Sequence, residues 1–144
     1  MDGLEQITSD LMKIKTACDD FKSVKIYVGI VGSADSDVIK IAHAHEYGTS
    51  KLPERSFIRA SFDADQDKLE SIVSSAVDRV ITGKNSVDAA ANSIGAQAAQ
   101  LVQNYIDENR VKPPSDYSKK TQHTTLYETG THIRDRIAYE VVKE

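Results

Sequence analysis

Val24-Lys25-Ile26-Tyr27-Val28-Gly29-Ile30-Val31 is the stretch on which the fold turns. Val24, Ile26, Val28 and Ile30 alternate with Lys25, Tyr27 and Gly29, the two-residue period of a strand with one face in the core. Upstream the period changes. Leu4, Ile7, Leu11, Ile14, Cys18 and Phe21 follow one another at steps of three and four, which lines one face of a helix over about residues 4 to 21. The same spacing belongs to a coiled-coil seam, yet about two and a half heptads is short for a free coiled coil. The expectation is therefore a helix packed on the domain's own core, with Cys18 as a buried structural thiol.

Downstream of the strand, Gly32-Ser33-Ala34-Asp35 breaks it, and Asp35 or Ser36 can cap a short helix that turns Val38, Ile41, Ala42 and His45 inward. Gly48 closes that helix, because glycine accepts the left-handed conformation of a helix end. Pro53 holds Leu52 extended and is placed to open the next helical turn. Phe57, Ile58 and Phe62 supply an apolar turn, Asp63 and Gln66 signal a restart, and Leu69, Ile72, Val73, Ala76, Val77 and Val80 carry the stripe on to Gly83. Ser86 caps a further long helix with Val87, Ala90, Ile94, Ala98, Leu101 and Tyr105 on one face, where Gly95 and the alanines allow a close neighbour.

Between Arg110 and His123 the periodicity stops, and the net charge of that stretch is +3. Residues 110–124, with Lys112, Pro113, Pro114, Lys119 and Lys120, read as a mobile basic loop of the kind that orders against a partner. Ile137, Tyr139 and Val141 then alternate with Ala138, Glu140 and Val142 as a closing strand. The chain is thus α+β, a single domain over residues 1–144. Its small antiparallel sheet is formed by the 24–31 strand and the C-terminal strand, packed against two long helices and the N-terminal helix. An isolated two-stranded sheet leaves open edges, which a neighbouring subunit can complete.

With 144 residues the chain is long enough to bury an aliphatic core without disulfides; it has no Trp, three Phe and one Cys. The short apolar runs and acidic start lead to the expectation of a soluble intracellular protein with neither a membrane span nor a signal peptide. A net charge of −4 speaks against nonspecific grip on a phosphate backbone.

Candidate chemistry is sparse. His43 and His45, with Glu46 beside them, are the best metal candidates, but side chains two apart on a helix diverge by roughly 200°. Asp63, Asp65, Asp67 and Glu70 imitate a calcium loop without its central glycine, and Ser74 stands where its closing glutamate belongs. No Gly-x-Ser-x-Gly turn and no phosphate-cradling glycine loop is present in the sequence. His123, His132 and Tyr117 fall in polar surroundings without a ligand or stacking pattern. Neither a cofactor nor a metal is expected. A metal-dependent hydrolase or nuclease built on His43, His45 and Glu46, or a regulatory binding module, are the alternatives to a purely structural role.

Two segments resemble a known family. The first is His45-Glu46-Tyr47-Gly48-Thr49-Ser50-Lys51-Leu52-Pro53-Glu54-Arg55-Ser56-Phe57-Ile58-Arg59; the second is Pro113-Pro114-Ser115 followed by Leu126-Tyr127-Glu128-Thr129-Gly130 and the closing strand. In order and spacing they are similar to the tail-completion or neck proteins of tailed bacteriophages, also described as virion-morphogenesis or tail-component proteins and including the minor tail proteins called Z. The resemblance spans about residues 24 to 142. Ser56 stands where the family prefers a second proline, which is expected to loosen that turn, and Glu128 replaces an aspartate.

The resemblance implies a non-enzymatic structural virion protein of phage or prophage origin, which completes the tail or joins head and tail. It implies a homo-oligomeric ring at the virion neck, met by head-adaptor, tail-terminator or tail-tube proteins, with DNA only as passing cargo and no membrane. Before assembly the protein would reside in the host cytoplasm. The assembly motif so implied comprises Glu46, Tyr47, Gly48, Pro53, Arg55, Phe57, Arg59, Thr129 and Gly130, with the basic loop as a second element. Read physically, the first motif is a corner in which Phe57 plugs the core and Arg55 or Arg59 pairs with Glu46.

Overall fold

The computed structural model describes residues 3–30, 36–112 and 133–144. Helix α1 (Gly3–Lys22) leads into strand β1 (Val24–Gly29), then α2 (Ser36–Tyr47), α3 (Ile58–Ala64), α4 (Gln66–Ile81) and α5 (Val87–Asp107). A 3-10 turn over Ile133–Arg136 precedes strand β2 (Ala138–Lys143). The fold is α+β, and β1 and β2 form an antiparallel two-stranded sheet with Ile26 opposite Val141 and Val28 opposite Tyr139. Inward Val24, Ile26 and Val28 are half-buried while Lys25 and Tyr27 are exposed, as the alternation requires. The strand stops at Gly29, whose partner Ala138 is the first residue of β2, and Ile30 already lies outside it.

The sheet rests mainly on α5, and α4 packs alongside α5. Ser86 caps α5 by accepting from the Ala89 amide at 3.0 Å. The helix buries Ala90, Ala91, Ile94, Gly95, Ala98, Ala99, Leu101, Val102, Tyr105 and Ile106. So many small residues bring β2 close: a side chain at Gly95 would run into the ring of Tyr139, whose hydroxyl donates to Asn92 Oδ1 at 3.1 Å.

Two apolar clusters lie along α5. Around its C-terminal half, Phe57, Val102, Ile106, Val111 and Ile133 have almost no accessible surface. At its N-terminal half, Ala76, Ala90 and Ile94 receive Phe21, Ile26, Ile72 and Val80.

Three expectations need correction. Cys18 is exposed. On α1 only Ala17 is fully buried, with Ile14 and Phe21 half-buried, so the first half of the stripe does not reach the core. The helix meets α4 and α5 near its C-terminal end and runs past them, and periodicity cannot reveal where a neighbour stops. Arg110 and Val111, read as the start of a mobile basic loop, are packed against the domain. Val111 is a core residue, and Arg110 forms a two-pronged pair with the buried Asp65 at 2.9 and 3.2 Å while lying 4.7 Å from the Tyr105 ring centre. That pair ties the α3–α4 elbow to the end of α5. Asp65 is thereby a structural anchor at the restart between α3 and α4. Lys112 is exposed, while Pro113, Pro114, Lys119, Lys120, Thr129 and Gly130 lie outside the described residues.

Candidate functional site

Helix α2 ends on a turn that the local sequence dictates. The Gly48 amide donates to the Ala44 carbonyl at 2.8 Å, and Gly48 has φ of +76°. A Cβ there would also meet the Glu54 nitrogen at 2.9 Å, so both conformation and space require glycine. Thr49 closes the next turn: its hydroxyl accepts from the amides of Lys51 and Leu52 at 3.2 and 3.0 Å, and its own amide donates to the Leu52 carbonyl. Pro53 and Glu54 then run back along the end of α2, and the Arg55 amide donates to the His45 carbonyl at 2.7 Å. Pro53 does not begin a helix. Residues 53–56 stay non-helical, and α3 starts five residues later, at Ile58.

At the centre of this corner lies Glu46, 5% exposed. Its Oε2 accepts from the amides of Phe57 and Ile58 at 2.9 and 3.0 Å, and its Oε1 accepts from the Arg59 amide at 2.9 Å. Oε1 also accepts from Ser56 Oγ at 2.8 Å and from Arg59 Nε at 2.9 Å. The carboxylate of one helix end thus caps the first turn of another, where three amides would otherwise lack partners. Burial by itself pushes the Glu46 carboxyl up, but the amide donors from Ile58, Arg59 and Phe57, with the Arg59 side chain, outweigh it and hold the group below its ordinary value. Arg59 is held more firmly protonated by its hydrogen bond to Glu46.

Arg59 has further contacts that fix its direction. It donates to the Glu46 carbonyl and to Glu54 Oε1, and it lies 4.4 Å from the centre of the exposed Tyr47 ring. Tyr47 in turn meets the His43 ring at 4.8 Å between centroids. The arginine partner of Glu46 is therefore Arg59. Arg55 turns instead to His45, with Nη2 2.8 Å from Nδ1; a guanidinium only donates, so Nδ1 accepts. Phe57 is fully buried beneath the corner, in keeping with its place in the motif.

Ser56 overturns the expectation of a loosened turn. Its hydroxyl donates to Glu46 and accepts from the Ala60 amide at 3.1 Å, which stitches the corner where a proline would only restrict it. Ser56 sits one residue before the helix N-cap, Phe57, so the sequence rule for capping serines points near it without giving this contact.

Of the metal candidates, His45 is buried against Arg55, Glu46 is engaged by five donors, and His43 is exposed on the Tyr47 side. Among the described residues no group of three or more His, Cys, Asp or Glu side chains is arranged to hold a metal ion. No helix among them is long and apolar enough to cross a membrane. The corner is a set of internally matched charges that fixes the angle between α2 and α3, with Tyr47, Leu52 and Pro53 on its outer surface. No protein-family model, curated protein or solved structure matches the chain.

Proposed function

We propose that the chain is a structural virion protein of phage or prophage origin that completes the tail or joins head to tail as part of an oligomeric ring. The observation that carries this reading is the segment from His45 to Arg59. The residues on which the family resemblance rests there form one closed corner, in which Glu46, Gly48, Arg55, Phe57 and Arg59 each have a structural task. A carboxylate engaged by three amides, a serine and an arginine suits a scaffold, whereas a general base must be free to take a proton. The exposed outer side of the same corner, with Tyr47, Leu52 and Pro53 held in place from beneath, then offers a rigid surface to a neighbouring subunit or to a head-adaptor or tail protein.

The test is deletion of the gene from the phage or prophage genome that carries it, followed by electron microscopy of the lysate. Filled heads and tails that remain unjoined or unfinished are expected, with infectivity restored when the protein is supplied from a plasmid. Normal numbers of complete, infectious virions would refute the assignment.

A further inference from the structure

Helix α1 carries an apolar seam that the other described residues leave uncovered. Leu4, Ile7 and Leu11 are 74%, 58% and 61% exposed, and Cys18 is exposed on the same stripe. These residues, with the half-buried Ile14, occupy the first and fourth positions of successive heptads: Leu4, Leu11 and Cys18 in one row, Ile7 and Ile14 in the other. The domain covers the second row progressively toward the C-terminal end and leaves the first row open along its whole length.

We propose that this seam pairs with the same helix of a second copy of the chain, in parallel and in register. The flanking charges select the arrangement. Asp10 precedes a first-row position and Lys15 follows the next second-row position, five residues on, which is the spacing of a salt bridge between parallel helices. A parallel pair brings Asp10 of each chain to Lys15 of the other, twice over. Both side chains lie in exposed positions, where Lys15 pairs with Asp19 and Asp10 accepts from Gln6 along the same helix, solvent-exposed contacts that the interchain pair replaces. An antiparallel pair would set Lys15 against Thr8 and Asp10 against Ala17, with no opposite charges. The inference concerns self-association through α1 and stands apart from the virion role and from the corner at Glu46.

Cys18 provides the readout. In a parallel pair it faces its own copy, within the roughly 4.4–6.8 Å Cα separation that a disulfide needs. In an antiparallel pair it faces Ile7. Mild oxidation of the full-length protein with diamide, read on a non-reducing gel, should give a covalent dimer. Leu11→Asp, on an exposed position and so compatible with folding, should lower the yield about tenfold by placing like charges on the seam. Moving the thiol to the opposite face (Cys18→Ser with Thr16→Cys) should lower it similarly. Equal dimer yields from Cys18 and the relocated thiol, or an unchanged yield in Leu11→Asp, would overturn the proposal. So would preferential linkage of Cys18 to a cysteine placed at residue 7 of another chain, or no dimer at all, which would leave the seam to a different occupant.

Discussion

Glu46 shows how much one side chain can organise. Replacing it with alanine would leave the amides of Phe57, Ile58 and Arg59 and the Nε of Arg59 without their acceptor, a loss of about 3–5 kcal/mol that comes chiefly from the amides. Glu46→Gln retains an acceptor oxygen and should cost less, as urea denaturation of the two variants would show. Because the folded pKa of Glu46 lies below its ordinary value of 4.5, the stabilisation is present above that pH and is lost as the pH falls through the depressed folded value. Stability measured from pH 6 downward should therefore decline less steeply in Glu46→Gln than in the wild type; identical acid profiles would mean that the carboxylate is not the titrating group. Gly95 is a second decisive position. An added methyl group collides with the inner part of the Tyr139 ring, so Gly95→Ala should destabilise by about 1–3 kcal/mol. Combining it with Tyr139→Leu should recover part of that loss, a coupling that a double-mutant cycle measures directly.

The elements differ in how much of their apolar pattern is used. Along α5 the stripe from Ala90 to Tyr105 is buried, and both clusters are built on it. Leu101→Asp puts an unpaired charge into that face and should cost about 3–5 kcal/mol. On α1 the same kind of stripe is largely solvent-exposed, and Leu11→Asp should leave the melting temperature of the monomer within about 2 °C of wild type. A melting curve for each variant tests the contrast, which two helices with similar three-and-four spacing would not suggest. The α3–α4 elbow belongs at this scale too. Its restart at Asp65 is legible from Asp63 and Gln66, but its anchor, Arg110, lies 45 residues away in a stretch whose composition is that of a loop.

Across the whole molecule, α5 is the element on which the others rest. Strands, α3, α4, the 3-10 turn and the end of α1 all meet it, and Arg134 adds a two-pronged pair to Asp107 at 3.0 and 2.9 Å near its C-terminal end. Amide hydrogen exchange should therefore be slowest in α5 around residues 94–106 and fastest, among the helices, in α1 before residue 12, where only local bonds protect the backbone. Comparable protection in the two segments would contradict this central role of α5. Much of the architecture can be read locally: alternation identifies both strands, and the three-and-four spacing locates the helices. Gly48 and Ser86 mark their ends, because caps and periods are set by residues close together in the chain. The choice of Arg59 over Arg55 as the partner of Glu46, the second hydrogen bond that makes Ser56 a stitch, and the exposure of Cys18 cannot be read in this way. Each depends on which surfaces meet after the chain has turned back on itself. The secondary elements, their order and the α+β class are thus written into neighbouring residues, through local sterics and the separation of apolar from polar faces. Which apolar faces are covered and which charges pair is settled only once the chain has folded, because burial and ion pairing depend on distances between residues far apart in the sequence.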